Sequence, residues 1–334
     1  MRAVYLEKKG VLTEKDIPKP SPSKGQVLVK IRCVGICGSD VHYWEHGQIG
    51  KFVVNKPLIL GHEVSGEIAE LGEGVTGFAV GDRVVIEPGT PCGRCEYCKK
   101  GRYNLCPDIV FFATPPDDGA FCEYVAHNSD LVFKVPDGVE LDVATIVEPL
   151  AVGTFATRKV GIDLGDKVII YGSGVIGLCC LIMAKEAGAG EVTVVDVRDD
   201  RLELAKKMGA DHTVNIAEKE TPKCVFNVAY ECSGVPSSLT DASRTVKPGG
   251  RIAMIGLGAS SMQEAPIVDF VINEQSLVTS FRYAHAFPTT LSVIKKHKTV
   301  LEKLITHRYA LDEVEKAFKT ARYDPGAVKV IINL

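Results

Sequence analysis

The stretch that decides the fold of half this chain is Gly172-Ser173-Gly174-Val175-Ile176-Gly177. The pattern G-x-G-x-x-G is weak alone, so its setting matters. Residues 167–171 are a short apolar run, β-branched at its centre, and residues 175–187 read as a helix. Strand, glycine turn and helix in that order open a dinucleotide-binding unit. Gly172 permits the tight turn, Gly174 lets the backbone approach a pyrophosphate, and Gly177 lets the helix pack close to the strand. The helix N-terminus adds N–H donors and a partial positive charge for phosphates. Asp196 ends the next apolar run, 19 residues after Gly177. A carboxylate there accepts from the adenosine ribose hydroxyls and repels a 2′-phosphate, which favours NAD over NADP. Arg198 is a nearby cation that would soften this discrimination. A glycine turn without a nucleotide is the rival reading; the coincidence of strand, glycines, helix and acid weighs against it.

Outward from the loop, the rhythm continues. A strand is expected at 192–196, a helix at 199–208, and strands at 212–215, 225–230, 251–255 and 277–279. Strands alternating with helices imply an α/β fold with a parallel, doubly wound sheet. Six strands is the number of a full dinucleotide fold. Residues 1–150 differ: short β-like runs such as 27–34 and 83–86 are punctuated by Gly and Pro. This half reads as an irregular, mostly β domain. The tail from 281 is polar and mixed, but 328–332 is strand-like and would pack back on the first domain. The expected division is therefore 1–150 plus 281–334 for a discontinuous domain and 151–280 for the dinucleotide domain.

The 11 cysteines are an odd number, which excludes complete pairing within one chain. Cys92, Cys95, Cys98 and Cys106 crowd together with gaps of two, two and seven residues. Four thiolates so spaced suit a closed, structural tetrahedral Zn²⁺ site. A ferredoxin-type run is the rival, and Pro107 does follow Cys106, but the last gap is seven rather than three. Cys33, Cys122, Cys179, Cys180, Cys224 and Cys232 read as small buried hydrophobes. A second set, Cys37, His62, Glu63 and Glu148, offers ligands for an open, catalytic zinc. By spacing alone that set is a weak signal.

The stretch Gly61-His62-Glu63-x2-Gly66-x5-Gly72-x2-Val75 resembles the zinc signature of the medium-chain alcohol dehydrogenase family. The four-cysteine lobe and the glycine loop follow in that family's order. CGSDVHYWEHGQIG (37–50), FFATPPDDG (111–119) and Phe281-Arg282-Tyr283 resemble its polyol dehydrogenases, the sorbitol (L-iditol) and xylitol group. Some animal members lack the full structural cysteine set, which this chain keeps.

The resemblance implies a GroES-like catalytic domain with a Rossmann cofactor domain, and two Zn²⁺ per chain. Cys37, His62 and Glu63 would bind the catalytic ion. Glu148 would stand near it, and which glutamate is first to the metal stays open. Ser39 would take the alcohol proton and His42 pass it towards solvent. Val175, Ile176, Arg201, Leu257 and Ser280 join the glycines and Asp196 at the cofactor. Tyr43, Phe111, Glu148, Arg282 and Tyr283 would surround the substrate. The reaction implied is reversible hydride transfer from a polyol to NAD, giving a ketose. Alternatives are a dehydrogenase of another secondary alcohol, of threonine or butanediol type, and a non-catalytic nucleotide-binding protein.

Composition agrees with an enzyme of small molecules. The 334 residues are 46% hydrophobic and 24% charged, with net charge −3. Nothing there recruits nucleic acid or an anionic membrane. The longest apolar run, residues 175–184, is too short to span a bilayer, and the start lacks a signal-peptide pattern. A cytoplasmic homo-oligomer is expected, a tetramer rather than a dimer.

Overall fold

In the computed structural model, which describes residues 1–258 and 265–334, the strand Gln26–Ile36 is the axis of the first unit. Its sequence QVLVKIRCVGI is buried along most of its length, because it lies inside a sheet with neighbours on both sides. The order across that sheet is Val132–Lys134, Arg83–Ile86, Glu63–Leu71, Gln26–Ile36, Lys329–Asn333 and Ile305–Ala310, with Tyr124–Asn128 also paired to Gln26–Ile36. Gln26–Ile36 runs antiparallel to Glu63–Leu71 and to Lys329–Asn333. The C-terminal strand thus stands two places from Glu63–Leu71, with one strand between them. Helix Val314–Tyr323 covers this core: Phe318 meets Phe121 and Trp44 at ring separations of 5.8 and 5.9 Å.

The second unit is a parallel six-stranded sheet. Its order is His212–Asn215, Glu191–Asp196, Lys167–Tyr171, Phe226–Glu231, Val246–Met254 and Ser276–Thr279. The chain leaves Lys167–Tyr171 in one direction and returns on its other side, which makes the sheet doubly wound. Lys167–Tyr171 is buried beyond its first residue, as a strand covered on both faces should be. The fifth strand begins at Val246, earlier than the expected 251. Pro248-Gly249-Gly250 lies inside it at a register shift, and punctuation of that kind reads as a turn in sequence.

The chain divides into Met1–Glu148 with Phe287–Leu334, and Pro149–Ala286. Residues 281–286, with Arg282 and Tyr283, therefore go with the second unit and not with the first. One reason is local: the Arg158 guanidinium donates to the His285 carbonyl at 2.7 Å. Cys224 also departs from expectation. It is exposed, at a backbone φ of 53°, in the turn before Phe226–Glu231.

Candidate functional site

Helix Gly38–His46 starts at Cys37, whose backbone N–H donates to Asp40 Oδ2 at 2.9 Å. Asp40 is fully buried, and its other oxygen accepts from the Gly61 N–H at 3.0 Å and lies 3.7 Å from His62 Nδ1. One carboxylate thus ties the Cys37 turn to the Gly61-His62 turn. Glu63 begins the adjacent strand, opposite Gly35. The result is a cluster in which ligand atoms of Cys37, His62 and Glu63 all lie within 4.8 Å of one another.

Lys329 completes this arrangement. It is 3% exposed, and its Nζ donates to Glu63 Oε1 at 2.6 Å, to Oε2 at 2.7 Å and to the Ile36 carbonyl at 3.1 Å. The contact crosses the middle strand, which is why Gly35 must be glycine: a Cβ there would stand 2.0 Å from Glu63 Oε2. Burial works against charge on His62 and on Lys329, yet both are held above their ordinary values. For His62 the cause is Asp40 and Cys37; for Lys329 it is Glu63, Cys37 and Glu148. A buried pocket that stabilises cations this strongly, with a thiol, an imidazole and a carboxylate converging, fits a divalent zinc ion. Phe111 closes one side, its ring 6.0 Å from the His62 ring, and Tyr43 is buried on the same helix as Asp40. Ser39 is half-buried and His42 exposed, three residues apart on that helix. Glu148 is buried in the same unit, within electrostatic reach of Lys329 and Glu87.

The four cysteines of the lobe also converge. Cys95 and Cys98 sulfurs stand 3.4 Å apart, Cys92 and Cys98 4.0 Å, and the whole set lies within 4.8 Å. A tetrahedron of zinc–sulfur bonds of about 2.3 Å sets its sulfurs about 3.8 Å apart, between those values. Backbone N–H groups of Cys92 and Cys98 point at the sulfurs of Cys106 and Cys95. So close a set suits one ion better than a multi-iron cluster.

In the second unit, Gly172 has a φ of 93°, and a Cβ on Gly177 would stand 1.8 Å from the Gly172 carbonyl oxygen. Around Gly174, at the N-terminus of helix Val175–Glu186, a Cβ would meet nothing within 4 Å, so the backbone is open to a ligand. Val175 and Ile176 form the first turn of that helix. Asp196 accepts from the Ser173 N–H and hydroxyl, both at 2.8 Å. Arg201 sits near Asp196, Arg198 and Asp200, its pKa lowered chiefly by burial. Leu257 is exposed, and among the described residues the buried Ser280 hydroxyl has no hydrogen-bond partner. Arg282 has a φ of 51° and lies over the Phe281 ring; Tyr283 is buried.

Sequence reasoning missed Asp40 and Lys329. Asp40 lies within the stretch 37–50, CGSDVHYWEHGQIG. Lys329 interrupts the apolar run 328–332, and a charge inside a strand-like run is the signal that marks a buried partner.

Residues 23–137 match the alcohol dehydrogenase GroES-like domain, and residues 175–296 match the zinc-binding dehydrogenase domain. The chain belongs to the zinc-dependent medium-chain dehydrogenase family, with a GroES-like domain and a Rossmann-type parallel sheet. It is similar to the sorbitol dehydrogenases of Gallus gallus and of Bacillus subtilis, each 41% identical over 99% of this chain and 96% and 97% of theirs. Among solved structures, L-idonate 5-dehydrogenase of Escherichia coli is 32% identical with a TM-score of 0.92, covering 100% of this chain and 98% of that one. Two further solved relatives, 30% and 28% identical, hold NADH and NADP. The protein is an oxidoreductase that uses zinc and a nicotinamide dinucleotide. No helix among the described residues is long and apolar enough to cross a membrane.

Proposed function

We propose that this enzyme oxidises a polyol such as sorbitol or xylitol to a ketose with NAD, reversibly, on a zinc held by Cys37, His62 and Glu63. The convergence of those three ligands, in a chain 41% identical to sorbitol dehydrogenases, carries the reading. A zinc there acts as a Lewis acid that makes an alcohol hydroxyl acidic at neutral pH. Asp40 orients His62 and the Cys37 turn, and Lys329 holds Glu63. Ser39 takes the hydroxyl proton, and His42, on the exposed side of the helix, delivers it to solvent. In the first unit Glu148 and Tyr43 pair with substrate hydroxyls, and Phe111 is the apolar wall; Arg282 and Tyr283 of the second unit are assigned to the substrate by the family resemblance alone. A site built to pair hydroxyls strands its own polar groups with ethanol, so simple alcohols are poor substrates.

The second unit binds the dinucleotide through Gly172, Gly174, Val175, Ile176, Gly177, Asp196, Arg201, Leu257 and Ser280. Asp196 makes NAD the preferred form. The Cys92, Cys95, Cys98 and Cys106 lobe holds a second, structural zinc, for two per chain. The catalytic domain is 1–148 with 287–334, and the cofactor domain is 149–286. All 11 cysteines are free, which fits the reducing cytoplasm. The edge strand Ser276–Thr279 and the neighbouring Val271 and Ile272, more than 70% exposed, support a homo-oligomer, a tetramer by expectation.

A rate panel of sorbitol, xylitol, L-arabinitol, 2,3-butanediol, threonine and ethanol, each with NAD and NADP, tests the reading. Polyols with NAD should lead. A faster rate with butanediol, threonine or ethanol would overturn the substrate class, and a faster rate with NADP the cofactor preference.

A further inference from the structure

Asp196 does not wait for a ligand with open acceptor sites. Its Oδ2 accepts from Ser173 N–H and Oγ–H, and its Oδ1 accepts from the N–H groups of Val197 at 2.8 Å and Arg198 at 3.1 Å. A carboxylate has about four such positions, so all are filled by the protein itself. Three of the donors are backbone and fixed; only the Ser173 hydroxyl can turn away. A ribose hydroxyl, being a donor, can take the place that Ser173 leaves. A 2′-phosphate brings only acceptors and negative charge, and needs a cation to hold it.

Two residues beyond Asp196 stands the cation Arg198, just before helix Asp199–Lys207. One edge of its guanidinium is gripped by one carboxylate: Nε donates to Asp200 Oδ1 at 3.1 Å and Nη2 to Oδ2 at 2.6 Å. The same fork is what would clasp a phosphate. The neighbouring acid, Asp199, is engaged elsewhere, accepting from Asn215 at 2.9 Å. Arg201 is half-buried, and its charge is already shared with Asp200 and Asp196. Asp200 lies in the first helical turn, where the helix dipole favours its charge, and its pKa is lowered by the Arg198 hydrogen bonds.

We propose that Asp200 is a specificity-determining residue: by occupying the Nε–Nη2 fork of Arg198 it denies that clasp to a 2′-phosphate and keeps the enzyme on NAD. The proposal rests on the cofactor preference stated above. It is tested with zinc-loaded full-length enzyme carrying D200A, and with D200A combined with R198A. The Asp200 side chain is 55% exposed and that of Arg198 37%, so neither change empties a core position. In D200A, kcat/KM with NADP should rise about tenfold while that with NAD stays within about twofold, roughly the scale of one ion-pair contact. NADPH affinity without substrate, read from its fluorescence, should tighten in parallel. The double variant should return to the wild-type ratio. No change in D200A would overturn the proposal. So would a gain that survives in the double variant, which would make the effect simple loss of negative charge. The wild-type ratio tests the cofactor preference separately; the change on substitution is read whichever cofactor the wild type favours.

Discussion

Both oxygens of Glu63 rest on the ammonium group of Lys329, at 2.6 and 2.7 Å, across 266 positions of sequence. The pair spans three adjacent strands over Gly35 and is 1% and 3% exposed. Removing one member of a buried ion pair strands the other, at a cost of about 3–5 kcal/mol. Lys329→Met should therefore lower unfolding free energy by about that much and weaken zinc retention. Adding Glu63→Gln should recover most of the stability but not the turnover. Denaturant unfolding of the single and double variants checks this; a single variant as stable as wild type would refute the pairing.

Cys37→Ala or His62→Ala should abolish turnover and reduce zinc from two ions per chain to one. The fold, followed by circular dichroism, should stay intact, because these side chains serve the cluster rather than the core. Measurable turnover in either variant would take the cluster out of the reaction.

Cys98→Ala should remove the other zinc. With one of four thiolates gone, the tetrahedral set is incomplete. The lobe between Cys92 and Cys106 contains only a short helix, Glu96–Lys99, with no buried residue, and a single turn at Tyr103–Leu105. Without its ion, limited proteolysis should cut there first. A variant that keeps both metals, or resists cleavage, would show that the ion does not hold the lobe.

Burial pushes the Glu87 carboxyl up to about 7, with Glu148 adding to the rise and the Tyr103 hydroxyl, at 2.6 Å, opposing it. Its folded-state value is above the usual carboxylate range, so the folded protein holds a proton that the unfolded chain has released. That stability is present in full below about pH 4.5 and is lost as pH rises through about 7. Glu87→Gln keeps the acceptor for Tyr103 without the charge. It should be near neutral at pH 5 and stabilising at pH 8, by on the order of 1–3 kcal/mol. An equal effect at both pH values would rule out the buried proton.

Local chemistry was readable in the chain. The glycine loop is legible because three close approaches each demand glycine within six residues. Asp196 is legible because a strand has a defined end. The cysteine lobe is legible because its four ligands are carried on one short loop. The candidate metal set is weak by spacing, because Cys37, His62 and Glu63 are brought together by two strands and two turns rather than by one segment. Strand limits shifted where punctuation occurs inside a strand, as at Pro248-Gly249-Gly250. The cofactor unit extends to Ala286 because Arg158 fastens the segment after the last strand, a contact with no periodicity to betray it.

The sequence by itself determined the two kinds of fold, the dinucleotide loop and the candidate metal ligands, since these follow from residue type, short spacing and strand or helix period. Only the tertiary structure decided what holds those ligands. Asp40 joins two turns, Lys329 reaches Glu63 over a glycine, and Asp200 grips Arg198. Such pairings depend on which strands lie side by side and how rotamers settle, and no pattern along the chain encodes either.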